Sequence, residues 1–261
     1  MSGPDPANER WRAVLTGQDP NIRGQRGRYK RIPSDPRCKL CNSPFAGIGG
    51  WYFRRTGRAP WPRNPRFCTA CFLGVERTPG GAEVEIMLLF ADVRGSTPLA
   101  EQLGAREFSK LMNRFFGVGS HALIDSDGFI EKYVGDEVAG VYLPAWSGTD
   151  FASKAFSAAL RILRETGNAD GSTPWVPVGI GLHYGSAYVG TIGSPDGVAD
   201  FGVLGDAPNL AARLASTAKA GEILVSEPAA AQIGADADQG EPRELTLKGI
   251  AEPVRARAVR A

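Results

Sequence analysis

The chain has 261 residues, of which 43% are hydrophobic and 22% are charged. This composition excludes a disordered or fibrous protein, and the length allows one full-sized core together with a smaller module. No apolar run approaches the roughly 18 residues that a membrane-spanning helix needs. Residues 1–10 contain no apolar signal segment, so we expect a cytoplasmic protein.

The two parts of the chain carry opposite net charge. Residues 1–80, called the basic head below, contain 15 Lys and Arg against 5 Asp and Glu, a net charge of +10. Residues 81–261, the acidic body, contain 15 against 23, a net charge of −8. This asymmetry favours a head that binds a polyanion or docks on another surface, and a solvated basic extension is the simpler alternative. We therefore predict two domains that meet near residue 80.

All four cysteines lie in the basic head as two C-x-x-C pairs, Cys38 with Cys41 and Cys68 with Cys71. Two such knuckles supply the tetrahedral four-thiolate shell that structural zinc prefers. Two disulfides are the alternative, and the lack of a secretion signal argues against them. The spacing predicts a zinc module at about residues 36–75 that holds one structural Zn²⁺ per chain.

The rest of the basic head is poor in aliphatic residues, and residues 21–31 show no hydrophobic periodicity. A bound metal would compensate for the small core. Arginines alternate with aromatic residues between residues 50 and 66, a pattern that is typical of nucleic-acid binding. The alternative that we favour is that Trp51, Phe53 and Trp61 cover the zinc module and pack it against the body.

From residue 83 onward, strand and helix patterns alternate in the order β-α-β-β-α-β-β-α-β, with one central hairpin at Gly135-Asp136. This order predicts an α+β fold in which helices pack on a largely antiparallel sheet. The first predicted helix starts at Ser96 and includes the amphipathic stretch 105–123. The other two predicted helices cover 151–163 and 206–218. The predicted strands are 84–93, 129–134, 137–143, 176–182, 187–192 (after a glycine-rich bend), 222–225, 244–247 and 254–259.

Histidine and P-loop chemistry are not indicated. The chain has two histidines, His121 within a helix and His183 after a strand, and no pattern of metal ligands or of a catalytic triad surrounds them. We interpret both as structural residues. The G-x-x-x-x-G-K-[ST] motif is absent, which excludes a P-loop nucleotide site.

Carboxylates at strand ends are the stronger chemical signal. Asp92 lies near the C-terminal end of the first predicted strand of the body, and Asp136 lies at the hairpin tip. If these elements are neighbours, the two carboxylates form one patch that a hard divalent cation would neutralise. Aspartates in turns are common, so two unrelated turn residues are the alternative.

A third polar feature lies at the start of the helix predicted at 206–218. We predict that Asp206 is its N-cap. Pro208 would then lie in the first turn, where a helix tolerates proline. Asn209 and Arg213 are four residues apart and share one face, where they could hold a sugar oxygen and a phosphate. A solvated polar face is the alternative.

Five stretches of the body occur together in the order of one enzyme family. They are Phe90–Thr97, Lys132–Asp136, Val178–Gly185, Gly205–Leu214 and Leu247–Val254. In this order they resemble the class III nucleotidyl cyclases, the adenylate and guanylate cyclase family. The resemblance implies a ferredoxin-like catalytic domain over residues 81–261, preceded by a small zinc-binding domain. It also implies a homodimeric enzyme that converts ATP to 3′,5′-cyclic AMP and pyrophosphate.

The resemblance assigns roles to individual residues. It implies two Mg²⁺ or Mn²⁺ ions per active site, held by Asp92, Asp136 and the backbone of Val93. From the partner subunit, Asn209 would orient the ribose and Arg213 would stabilise charge on the α-phosphate. The residues implied to cradle the phosphates are Val93, Arg94, Gly95, Ser96 and Thr97.

Base selection rests on two positions. Lys132 matches the lysine that reads adenine in the family, so the resemblance implies ATP as substrate. Gly202 stands where adenine-specific members usually have Asp, Thr or Ser, so the second base-reading side chain is missing. The alternatives are a cyclase that acts on GTP or a pyrimidine triphosphate, and a catalytically weak regulator that binds nucleotides or nucleic acid.

Overall fold

The computed structural model describes residues 6–169, 173–194 and 199–260. The chain forms two units, which are treated separately below. The first comprises Met1–Glu85, Leu143–Thr149 and Ser186–Leu204, and the second comprises Ile86–Tyr142, Asp150–Gly185 and Gly205–Ala261.

The helices and strands run along the chain as follows. The helices are α1 (Pro6–Leu15), α2 (Pro20–Tyr29), α3 (Gly47–Arg55), α4 (Thr69–Glu76), α5 (Ser96–Asp125), α6 (Pro144–Ser147), α7 (Phe151–Glu165), α8 (Asp206–Thr217), α9 (Glu227–Ile233) and α10 (Ala235–Asp238). The strands are β1 (Pro60–Trp61), β2 (Asn64–Cys68), β3 (Gly81–Val93), β4 (Phe129–Val134), β5 (Glu137–Tyr142), β6 (Val178–Gly193), β7 (Ala199–Leu204), β8 (Glu222–Ser226), β9 (Glu241–Leu245) and β10 (Val254–Arg260).

Short helices and a two-stranded sheet build the first unit around aromatic side chains. Helix α2 begins at Pro20, and the Asp19 side chain caps it by accepting a hydrogen bond from Ile22 N at 2.8 Å. No residue of α2 is buried, which explains why residues 21–31 show no apolar periodicity although they are largely helical. Buried aromatic residues of this unit include Trp11, Phe45, Phe53, Phe67, Phe72 and Phe201.

Residues 188–193 of β6 form a hairpin with β7 in the first unit. The pairing runs from Tyr188 opposite Leu204 to Gly193 opposite Ala199. The sequence predicts two strands around a glycine-rich bend here, and this is wrong, because β6 is one continuous strand. Glycine in this strand allows another segment of backbone to approach closely, because a Cβ atom on Gly190 would lie 2.3 Å from Gly80 O.

The second unit contains a sheet in the order β4-β5-β3-β6-β8-β10-β9. The β6–β8 pair is parallel, and the β3–β5, β4–β5, β8–β10 and β9–β10 pairs are antiparallel. The predicted α+β fold with a largely antiparallel sheet is confirmed.

Helices cover both faces of this sheet, as the alternation of side chains along β8 shows. Ile223 and Val225 belong to a core cluster that includes residues of α5, α7 and α9, whereas Leu224 belongs to a second cluster with Leu214 of α8. The predicted helical stripe from Phe108 to Phe116 contacts the first cluster. Helix α5 is interrupted at Gly104, which has φ 71°.

Candidate active site

Two aspartates lie beside each other where β3 and β5 meet. Asp92 is opposite Glu137 in the strand register, and Val93 N donates a hydrogen bond to Asp136 O at 3.3 Å. Asp136 belongs to the two-residue turn between β4 and β5, in which Gly135 has φ 62°. The structure thus brings together the two carboxylates that the sequence singles out.

Glu137 adds a third carboxylate to this corner. Burial, together with repulsion from Asp92 and Asp136, raises the pKa of Glu137 to about 7. Burial also raises the pKa of Asp92, against the opposing effect of Arg94. Burial is the largest cause of both shifts, and repulsion between the neighbouring carboxylates adds to it, so a cation bound here would relieve that repulsion. Sequence reasoning missed Glu137, although its position directly after the predicted turn was the available signal.

The residues after Asp92 lead from β3 into helix α5. The Arg94 guanidinium forms an ion pair with Asp92 and donates a hydrogen bond to Ser216 O. Gly95 adopts a left-handed conformation with φ 66°, and the helix begins at the next residue. Unpaired amides at a helix N-terminus attract anions. The predicted phosphate-binding residues that form this turn and the start of the helix are Val93, Arg94, Gly95, Ser96 and Thr97.

A β-bulge precedes Lys132. The pairing of β4 with β5 shifts by one residue between Ile130 and Lys132, which makes Glu131 the extra residue. Lys132 Nζ lies 3.1 Å from Glu131 Oε1, and the lysine side chain is 53% exposed. Its charge opposes the rise in the Glu137 pKa that burial causes, so Lys132 acts on the same carboxylate corner.

Helix α8 presents Asn209 and Arg213 on an exposed face, one turn apart. The opposite face buries Ala211 and Leu214. A Cβ atom on Gly181 of β6 would lie 2.4 Å from Ala211 O, so strand and helix backbones are in direct contact. This contact fixes the height of α8 over the sheet.

The start of α8 differs from the prediction. Gly205 is the N-cap, and Asp206 is the first helical residue, so the prediction of Asp206 as N-cap is wrong. Gly205 has φ 130°, a backbone conformation that favours glycine. Pro208 lies in the first turn, as predicted.

Gly202 lies on β7 in the first unit. It is buried and pairs with Gly190 across the hairpin. Without a side chain, this position offers a ligand only backbone groups.

These motifs lie in a region that matches one family model. The model of the adenylate and guanylate cyclase catalytic domain matches residues 81–252. The chain belongs to this cyclase family.

Two curated relatives illustrate the match. An adenylate cyclase of Anabaena cylindrica is 31% identical over 154 residues, which are 56% of this chain and 30% of the relative. A terminal-differentiation-specific adenylate cyclase of Dictyostelium discoideum is 28% identical over 177 residues, which are 65% of this chain and 8% of the relative. The chain therefore spans less than a third of the length of these two relatives.

Solved cyclase structures share the fold. The guanylyl cyclase Cya2 has a TM-score of 0.61 and 30% identity, covering 69% of this chain and 93% of that protein. The adenylyl cyclase CyaB from P. aeruginosa has a TM-score of 0.59 and 29% identity, covering 69% of this chain and 96% of that protein. The predicted ferredoxin-like cyclase fold is confirmed, and the two structures differ in the base that their names specify.

The cyclase chain also contains the predicted four-cysteine cluster, in the first unit. The Sγ atoms of Cys38, Cys41, Cys68 and Cys71 lie within 4.8 Å of one another. Cys41 Sγ and Cys68 Sγ are 3.8 Å apart and all four cysteines are free, so the disulfide alternative is wrong. A tetrahedral site with Zn–S bonds of about 2.3 Å separates its sulfurs by about 3.8 Å. The cluster could therefore bind zinc.

The aromatic residues of the basic head divide into two groups. Phe53 is buried, and the Trp61 ring stacks on Phe72 with centroids 3.4 Å apart. Both pack against aromatic residues of the basic head, and their predicted packing against the body stays a prediction. Trp51 is 57% exposed, so its predicted packing role is wrong. With Tyr52 and Arg55 it leaves an exposed face on α3, and nucleic-acid binding there stays an untested alternative.

The two histidines of the cyclase differ in burial. His183 is buried, and its Nδ1 lies 2.8 Å from Ser226 Oγ. Burial lowers the pKa of His183 to about 4, which keeps the ring neutral at physiological pH. His121 is exposed on α5.

Among the residues that the structure describes, no helix combines the length and the apolar character that crossing a membrane requires.

Proposed function

We propose that this cyclase domain is an adenylate cyclase, which converts ATP to 3′,5′-cyclic AMP and pyrophosphate at a site shared by two copies of the chain. The observation that carries the proposal is the adjacency of Asp92 and Asp136 in a chain that also exposes Asn209 and Arg213 one turn apart on α8. Acidic ligands for cations and a cationic side chain for phosphate are what attack of a ribose hydroxyl on the α-phosphorus requires.

The carboxylate corner fits a hard divalent cation. Its donors are carboxylate oxygens, which hard cations prefer. Burial raises the pKa values of Asp92 and Glu137 most, and repulsion from neighbouring carboxylates, which a cation would relieve, raises them further. Asp92, Asp136 and the backbone of Val93 would hold two Mg²⁺ or Mn²⁺ ions. When bound, such ions would lower the pKa of the ribose 3′-hydroxyl and offset charge on the leaving pyrophosphate.

The chain's own residues would bind and orient the nucleotide. The turn from Val93 to Thr97 and the amides at the start of α5 would hold phosphate oxygens. Asn209 would accept or donate a hydrogen bond at the ribose, which positions the 3′-hydroxyl for in-line attack. Arg213 would stabilise the negative charge that builds on the α-phosphate in the transition state.

Lys132 supports ATP as the substrate. Its side chain is half exposed and forms an ion pair with its neighbour Glu131. An ammonium donates hydrogen bonds and accepts none, so it suits the N1 acceptor of adenine and not the N1–H donor of guanine. Gly202 favours a second candidate, a cyclase that also accepts GTP or a pyrimidine triphosphate, because this position contributes no base-reading side chain.

A homodimer would complete the site. Cyclase domains of this class are dimeric, and in the second unit Leu103, Tyr133 and Val134 expose 43%, 47% and 48% of their surface. We propose that they contact a second copy, which supplies Asn209 and Arg213 to the Asp92 of the first.

The direct test is incubation of the purified protein with Mn²⁺ and an equimolar mixture of ATP, GTP, CTP and UTP, followed by identification of the cyclic products. Cyclic AMP as the main product supports the proposal. Cyclic GMP or a cyclic pyrimidine nucleotide as the main product would support the second candidate. The Asp92→Ala variant is the control, and a product formed equally by this variant would contradict the site assignment.

A further inference from the structure

Helix α4 joins the four-cysteine cluster to the β6–β7 hairpin within the first unit. Cys68 is the N-cap of α4 and Cys71 lies in its first turn, and the helix ends at Glu76. The next residues, 77–81, lead to the start of β3. One short helix thus connects the cysteine cluster to the segment that contacts the hairpin.

The surroundings of the cluster provide positive charge and hydrogen-bond donors. Arg58 Nη1 lies 3.5 Å from Cys41 Sγ and 4.0 Å from Cys68 Sγ. Cys68 N donates a hydrogen bond to Cys38 Sγ at 3.3 Å. Four thiolates around one Zn²⁺ carry a net charge of about −2, and such donors stabilise it. Neutral thiols have no need of a nearby guanidinium, so the surroundings point to a metal–thiolate centre.

The segment after α4 contacts the hairpin through its backbone. Thr191 N donates a hydrogen bond to Gly80 O at 2.9 Å, and Thr191 Oγ1 donates one to Thr78 O at 2.9 Å. Gly81 and Gly190 are so close that a Cβ atom on Gly190 would lie 2.4 Å from Gly81 Cα. This segment therefore acts as an additional partner of β6.

Aromatic packing also connects the basic head to the β6–β7 hairpin. The Trp11 ring stacks on Phe201 of β7 with centroids 6.5 Å apart, and Trp11 Nε1 donates a hydrogen bond to Pro79 O at 3.1 Å. Trp11 is 3% exposed and Phe201 is 6% exposed. The hairpin is thus held by the basic head from both β6 and β7.

We propose that Cys38, Cys41, Cys68 and Cys71 bind one Zn²⁺ ion and that this ion, through α4 and residues 77–81, holds the β6–β7 hairpin in its paired structure. Removing the ion leaves the start of α4 without its metal ligands, so the hydrogen bonds from Thr191 N and Thr191 Oγ1 to residues 78–80 open. Any effect on catalysis rests on the proposed function. The effect on hairpin structure is independent of it.

The test uses the full chain and two readouts that do not involve activity. Metal content is measured by atomic emission, and the chain freed of zinc is titrated with CoCl₂, whose visible absorption reports tetrahedral thiolate ligands. Hydrogen exchange of peptides covering residues 186–194 and 199–204 is measured with and without zinc. We expect one zinc per chain, and hairpin exchange that is at least about tenfold faster after chelation and returns to its original rate when ZnCl₂ is added.

Matched variants separate the metal from the contact. Cys71→Ser should lose zinc and accelerate hairpin exchange, whereas Cys71→His should keep both, because histidine replaces one thiolate in many zinc sites. Thr191→Val should keep one zinc per chain and still accelerate hairpin exchange. A purified chain that binds no zinc or cobalt would overturn the proposal, and so would hairpin exchange that is equal with and without zinc. Because cyclic nucleotide formation is not measured, an inactive cyclase leaves these outcomes unchanged.

Discussion

The Gly181→Ala variant tests how firmly the sheet positions helix α8. A Cβ atom at Gly181 would lie 2.4 Å from both Ala211 O and Ala215 N, which are helix backbone atoms. Ordinary contact starts at 3.4 Å, so α8 has to move by about 1 Å. Overpacking of this kind costs about 1–3 kcal/mol of unfolding free energy.

The same shift should impair catalysis although no proposed catalytic side chain changes. Asn209 and Arg213 belong to α8, so they would move with the helix. A displacement of about 1 Å at reacting groups costs roughly 100-fold in rate. The measurements are initial rates of cyclic AMP formation with ATP and Mn²⁺, and urea unfolding of the same samples.

Gly117→Ala in α5 is the matched control. Beyond its chain neighbours and the backbone of its own helix, an added Cβ there meets no described atom within 4 Å, so we expect an unchanged rate and a gain of up to about 1 kcal/mol in stability. A Gly181→Ala variant with wild-type rate and with stability within about 0.5 kcal/mol of wild type would refute the reasoning.

Three further predictions address charge at the site, base choice and pH. Arg213→Ala should lower kcat about 100- to 1000-fold at unchanged unfolding free energy, because the exposed guanidinium would act only where transition-state charge builds; Arg213→Lys should recover part of the rate, and an Arg213→Ala rate near wild type would contradict this role. Lys132→Glu should lower the ratio of kcat/KM for ATP to that for GTP by at least about tenfold, measured with each nucleotide alone, and an unchanged ratio would show that Lys132 does not read the base. Stability should fall as pH falls from 6.5 towards about 4, since the folded pKa of His183 lies below its ordinary value of 6.5 and the unfolded chain takes up the proton first. His183→Gln should flatten this dependence in urea unfolding at several pH values, and an equal slope in both proteins would exclude His183 as its cause.

Features that depend on local pattern could be predicted from the sequence. The turn at Gly135-Asp136 follows from glycine between two apolar runs, and the helix from Phe151 follows from its apolar spacing. The cysteine cluster follows from the spacing of two C-x-x-C pairs. Each of these signals lies within a few neighbouring residues.

Features that depend on distant neighbours could not be predicted. Helix α2 has no buried face, so its sequence shows no hydrophobic periodicity. Asp19 before Pro20 is the signal that indicates its start. The glycines of β6 resemble turn residues until the backbones that approach them, such as Gly80 O at Gly190, are known. The exposure of Trp51 and the raised pKa of Glu137 likewise depend on how much surrounding structure covers each side chain.

The central claim of the proposed function is that each active site combines Asp92 of one copy with Arg213 of another. The decisive measurement is cyclic AMP formation by an equimolar mixture of the Asp92→Ala and Arg213→Ala chains, with mixed dimers counted by native mass spectrometry. Each chain alone should retain at most about 1% of the wild-type rate. The mixture should reach about one quarter of the wild-type rate, since about half of the dimers are mixed and each mixed dimer contains one intact site. Mixed dimers that form cyclic AMP no faster than either variant alone would contradict the account.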